Sequence, residues 1–112
     1  MAEQKRKSIL LAAKFPQLSQ ELQQLLIADG ETQLAAQVPG LTILDRCRCG
    51  DDFCAMFYVQ PKPSGAYGPG HRCIPLDPNE GMLILDVLDE KIVAVEILHR
   101  NDIRQELLAE FP

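Results

Sequence analysis

Four cysteines and a histidine are the residues of this sequence best suited to chemistry. Cys47, Cys49 and Cys54 lie in the run Cys-Arg-Cys-Gly-Asp-Asp-Phe-Cys, and His71-Arg72-Cys73 follows a stretch rich in glycine and proline. Thiolates and imidazole are ligands that suit zinc. On a strand, residues two apart point to the same face, so Cys47 can converge with Cys49 and His71 with Cys73. If the chain between them folds back, Cys47, Cys49, Cys54, His71 and Cys73 could meet at one zinc ion. One residue separates the members of each pair, whereas familiar zinc knuckles have roughly two to four. The plainer fate of such thiols is to pack in a sheet as small apolar side chains, reduced and without a cofactor. A redox pair is a third use.

A second candidate surface is the segment from Pro61 to Gly70. It carries Pro61, Pro63 and Pro69 with Gly65, Gly68 and Gly70, so it reads as an exposed loop. Loops of about ten residues without regular structure are uncommon in compact domains and often functional. Tyr67, His71 and Arg72 are its binding residues. Tyrosine offers an amphipathic ring, histidine a general base, and arginine a fork for a carboxylate or phosphate. The alternative is a solvated connector. Asp51 and Asp52 read as turn residues and His99 as surface decoration. Gly65, Gly68 and Gly70 stand in the wrong order for a dinucleotide fingerprint. There is no Walker motif, no Gly-x-Ser-x-Gly elbow and no His-Glu-x-x-His pair. An enzyme is therefore not the expectation, and a small hydrolase or nuclease working through His71 is the weaker reading.

The elements that must position these residues divide the chain in three. Residues 1–40 read as helical, 41–98 as a sheet and 99–112 as a last helix, together one domain. Lys5 to Ala13 suggests a short frayed helix. Pro16 opens a second, on which Leu18, Leu22, Leu25 and Leu26 recur at helical spacing, and Gly30 ends it. Glu31 to Gln37 adds a short segment closed by Pro39 and Gly40. Leu41–Cys49 and Phe53–Val59 read as strands joined by a turn at Gly50-Asp51-Asp52. Arg72–Leu76 reads as an edge strand, since Pro75 limits its hydrogen bonding. Met82–Leu88 and Ile92–Leu98 form a hairpin, with Val93, Val95 and Ile97 on the expected core face. Asn101 or Asp102 caps a helix bearing Ile103, Leu107 and Leu108. The class is α+β: an antiparallel sheet of about four to five strands with N-terminal helices and a C-terminal helix.

Composition supports a globular protein. Of the 112 residues, 46 % are hydrophobic and 24 % charged, which argues against disorder. No apolar run approaches the roughly 18 residues of a membrane span. Residues 1–14 hold four basic side chains against one acidic, a net of +3, and the rest hold seven against fifteen, a net of −8. An acidic body repels phosphates, which excludes a nucleic-acid reader, and could steer toward a basic partner. Ile9–Ala13 is too short for the roughly 7–15 apolar residues of a signal peptide, so the expected location is cytoplasmic.

The stretch Gly81 to Leu98 resembles the end of a family of small uncharacterised bacterial proteins. There a strand, an Asp-rich turn and an "Ile-Val-Gly-Ile-Glu-Ile-Leu"-like strand form a hairpin. Ala94 stands where that pattern often has glycine. The resemblance implies a bacterial source and a small sheet-containing domain, and supplies no activity. The functional expectation is a cytosolic protein-binding module, for instance an immunity protein covering a basic toxin, which could also form a homo-oligomer. The alternative is a small zinc-binding domain.

Overall fold

The fold is α+β, as a computed structural model of the chain describes it over residues 7–112. A two-stranded piece pairs β1 (Ile9–Leu10) with β2 (Thr42–Ile43). The main sheet comprises β3 (Asp45–Arg46), β4 (Phe57–Tyr58), β5 (His71–Leu76), β6 (Met82–Leu88) and β7 (Lys91–Leu98). It is antiparallel throughout, in the order β3-β4-β7-β6-β5. Helices α1 (Leu11–Lys14), α2 (Pro16–Ala28) and α3 (Thr32–Gln37) precede the main sheet, and α4 (Asn101–Glu110) follows it. Among the described residues no helix is long and apolar enough to cross a membrane.

Local chemistry accounts for these elements. Pro16 opens α2, where its missing N–H is no loss. Leu18, Leu22 and Leu26 bury one stripe of that helix. Gly30, at φ +80°, ends it: the Glu31 N–H reaches the Leu26 carbonyl and the Gly30 N–H that of Ile27. That pair of bonds is a Schellman closure, which needs a left-handed residue. Arg100 is buried and grips Glu21 with two bonds of 2.7 and 2.6 Å, tying the start of α4 to α2.

The core lies on one face of the sheet. Phe57, Ile74, Leu83, Leu85, Val87, Ile92, Val95 and Ile97 pack with Leu11, Leu22, Leu26 and Leu34 of the early helices and with Ile103 and Leu107 of α4. The other face carries His71, Cys73, Asp86, Ala94 and Tyr58. Successive cross-strand pairs join the last four: Cys73 with Asp86, Asp86 with Ala94, and Ala94 with Tyr58.

Several expectations need correction. Lys5 and Arg6 of the first expected helix lie outside the described residues, and Ile9 and Leu10 are strand. A tight turn at Gly50-Asp51-Asp52 does not form. The chain leaves the sheet after Arg46 and returns at Phe57, and the Cys47 N–H to the Met56 carbonyl extends the pairing by only one bond. Competition from β7 is the reason: Cys54 bridges Leu98, and the Ala55 N–H bonds the Ile97 carbonyl. The expected core face of β7 also changes midway. The register shifts between Asp86 and Val87, so that Asp86 pairs with Ala94 but Val87 with Ile92. Val93 is the extra residue of a β-bulge, which puts Ile92 in the core cluster and leaves Val93 out of it. Finally, α4 begins at Asn101 with Arg100 at its cap position and no side-chain capping bond.

Candidate functional site

His71 is the first residue of β5, not a loop residue. Strand geometry sends His71 and Cys73 to the face away from the core cluster and Arg72 to the other. Asp86 of β6 sits opposite Cys73. The His71 Nε2 lies 3.0 Å from Asp86 Oδ1, the Cys73 thiol donates to the same oxygen at 3.2 Å, and Cys73 Sγ lies 3.9 Å from His71 Nε2. The Asp86 side chain is 6 % exposed and that of His71 28 %. A nitrogen, a sulfur and an oxygen thus converge on one point.

Two more groups complete this face. Glu96 follows Ala94 on the same side of β7. Burial pushes its carboxyl up to about 7, helped by a hydrogen bond and charge repulsion from Asp86. A carboxyl this close to another ionises less readily. Tyr67 lies with its ring centroid 4.7 Å from that of His71. Burial, then the charges of Asp86 and Glu96, raises its phenol. Ala94, next in the row after Asp86, is fully buried, so the middle of this face is covered.

Such a centre cannot act as a cysteine–histidine–aspartate relay. A relay needs the thiol on one imidazole nitrogen and the carboxylate on the other. Here both approach Nε2. Asp86 also accepts from the Cys73 thiol and raises its pKa, which holds it in the poorly nucleophilic form.

The other cysteines form a separate group. Cys47, Cys49 and Cys54 place their sulfurs within 4.8 Å of one another, as do the donor atoms of His71, Cys73 and Asp86. These two are the groups of this kind found among the described residues. The five residues expected at one zinc ion are therefore divided. Strands β3 and β5 are opposite edges of the sheet, four strand spacings or about 19 Å apart.

Arg72 is already engaged. It bonds Glu90 through Nε and Nη2 at 3.0 Å each, and Glu31 through Nη1 and Nη2 at 3.0 and 3.2 Å. Of the three expected loop residues, the structure brings Tyr67 and His71 together and turns Arg72 away to join the loop after α2 to the β6–β7 turn. Sequence reasoning missed Asp86 and Glu96. The signal was an acidic residue interrupting each of two otherwise apolar strands.

Compared with protein-family models, curated proteins and solved structures, the chain matches none of them.

Proposed function

We propose that this protein is a small zinc-binding protein whose centre is His71, Cys73 and Asp86 on the face of the sheet away from the core cluster. The observation that carries this reading is the convergence of three unlike donors at 3.0, 3.2 and 3.9 Å. Zinc bound tetrahedrally by nitrogen, oxygen and sulfur sets its ligands roughly 3.3–3.6 Å apart. Small side-chain rotations close that difference. The ion would displace the Cys73 proton and remove the repulsion between Asp86 and Glu96. Three protein ligands leave a fourth position, for water or Glu96. With water there, Glu96 is the nearby base, the form in which a hydrolase or nuclease reading survives.

The test is metal content and zinc affinity of chain purified without a histidine tag. Asp86→Asn keeps the shape but removes an anionic ligand. Loss of a residue that merely orients a ligand costs roughly 10–100-fold in affinity, and loss of the ligand itself should cost at least that. Zinc affinity that ignores both Asp86→Asn and Cys73→Ser would end the reading.

The protein-binding module remains the second reading. It draws on the exposure of most of the Pro61–Gly70 segment and on the acidic body, which favours a basic partner. In that case Tyr67→Ala abolishes capture of the partner while zinc content stays as it is.

A further inference from the structure

The loop between β3 and β4 does more than fail to be a hairpin. We propose that Cys47, Cys49 and Cys54 form a second metal site, separate from the His71 centre, for a soft, thiophilic d10 cation.

Three observations support this site. The first is convergence: three sulfurs within 4.8 Å of one another, against about 3.8 Å between thiolates on a tetrahedral zinc ion. The second is the backbone around them. The Cys47 N–H bonds the Met56 carbonyl at 2.8 Å and the Cys54 N–H bonds the Asp51 carbonyl at 3.3 Å. These bonds fix the backbone of two of the three cysteines, as supporting contacts around a metal ligand do. The third is anchoring. The Ala55 N–H bonds the Ile97 carbonyl at 2.7 Å and the His99 N–H bonds the Phe53 carbonyl at 2.9 Å, which together make the Cys54–Leu98 bridge, and the Phe53 and His99 rings stack 5.4 Å apart. The returning half of the loop, Phe53 to Ala55, is thus pinned along the end of β7.

Charge and space agree with the assignment. The thiols line a cavity of about 100 Å³ that Arg46 and Arg104 also border. Three thiolates on a divalent ion carry a net −1, and on a monovalent ion −2. Two guanidinium groups beside the cup, set against one carboxylate at Asp51, offset part of that charge. Asp51 also lines the cavity, but the three converging donors are all sulfur, and thiolate sites select soft ions over magnesium or calcium. The third sulfur distinguishes this group from a redox pair, which needs two.

Cadmium is the probe, because its thiolate complexes absorb by charge transfer in the near ultraviolet. The reduced, full-length chain should take two equivalents. The double variant Cys73→Ser, Asp86→Asn disables the other centre and should still take one, with the charge-transfer band of three thiolates. Adding Cys49→Ser to that background should weaken binding roughly 100-fold or more, with circular dichroism unchanged. If that variant does not fold, protection against alkylation decides. In the cadmium-loaded double variant, Cys47, Cys49 and Cys54 should all resist iodoacetamide. A double variant that shows no band, an affinity indifferent to Cys49→Ser, or thiols alkylated as fast with cadmium as without it overturns the proposal. Failure of the His71 centre alone would appear as one equivalent in the wild type, with the band intact.

Discussion

The two donor groups of this protein are built in opposite ways. Cys47, Cys49 and Cys54 come from eight consecutive residues in a loop at one edge of the sheet, on the side of Arg104, Leu107 and Leu108 of α4. His71, Cys73 and Asp86 come from two strands at the other edge, on the face away from the core. The loop group depends on turn chemistry and a few anchoring bonds. The strand group depends on register, because a slip of one residue between β5 and β6 would send Asp86 to the far face. One is made by proximity in the chain, the other by the fold.

The largest test of that difference removes the frame. Val95 is fully buried in β7 and pairs with both Phe57 and Leu85. Val95→Asp puts an unpaired charge in the core at a cost of several kcal/mol, comparable with the whole stability of a marginal domain. The chain should be largely unfolded at 25 °C by circular dichroism. Zinc affinity at the strand-built centre should vanish with the fold, while local cysteine spacing retains weak thiolate binding. Equal losses at both groups would erase the distinction.

The same difference explains what the sequence discloses. The β6–β7 hairpin is legible because its pattern is local: two apolar strands separated by Asp89 and Glu90, which adopt φ of 50° and 65° as a two-residue hairpin turn requires. Helix α2 is legible from its leucine spacing and its proline and glycine ends. The cysteine cluster is visible for the same reason. The partnership of His71 and Cys73 with Asp86 is not, since nothing local says which β6 residue lies opposite Cys73. The bulge at Val93 is hidden too: every residue around it is apolar, so alternation cannot reveal where the faces exchange. Arg72 misled because an arginine beside a glycine-rich loop gives no hint of Glu31 and Glu90 converging on it.

Glycine substitutions probe the two regions at intermediate strength. Gly81 precedes β6 at φ +68°, and a Cβ there would lie 2.5 Å from the Leu98 carbonyl oxygen, a backbone atom with little room to move. Gly50 lies in the cysteine loop at φ +84° with nothing within 4 Å of its Cβ position. Gly81→Ala combines left-handed strain with a clash and should cost roughly 2–3 kcal/mol; Gly50→Ala carries the strain alone, about 1 kcal/mol. Urea denaturation separates the two. A Gly50→Ala cost as large as that of Gly81→Ala would mean the loop is as tightly held as the strands.

A smaller effect concerns pH and the metal-free chain. The Glu96 carboxyl is raised to about 7 from an ordinary 4.5. The native state therefore holds a proton that the unfolded chain releases between those values. Its stability should fall as pH rises through that window, and be flat above it as far as Glu96 is concerned. Glu96 is only half-buried, so solvent screening reduces the swing to about 1 kcal/mol. Glu96→Gln should remove it. Melting curves at pH 4.5 and 7.5 for both chains measure the difference, and an unchanged pH slope in the variant would show that the strand-built centre is not strained by its own charge.

The gentlest comparison leaves the fold untouched and asks which thiol reacts first. In the loop, the Asp51 N–H and the Cys54 thiol stabilise the Cys49 thiolate, lowering its pKa, while burial pushes Cys54 up to about 12. On the strands, the hydrogen bond to Asp86, then burial and the Asp86 charge, hold Cys73 above its ordinary value. Cys49 and Cys73 are both exposed, so access does not separate them. The thiolate is the nucleophile, and its fraction falls about tenfold for each unit by which the pKa exceeds the pH. Iodoacetamide at pH 7.5, with peptide mass spectrometry over time, should therefore modify Cys49 first, Cys73 later and Cys54 last. Asp86→Asn removes the carboxylate that holds the Cys73 proton and should speed Cys73 without changing Cys49. If Cys73 is alkylated as fast as Cys49 in the wild type, Asp86 does not hold its proton, and the contrast between a thiolate-favouring Cys49 and a proton-retaining Cys73 is lost.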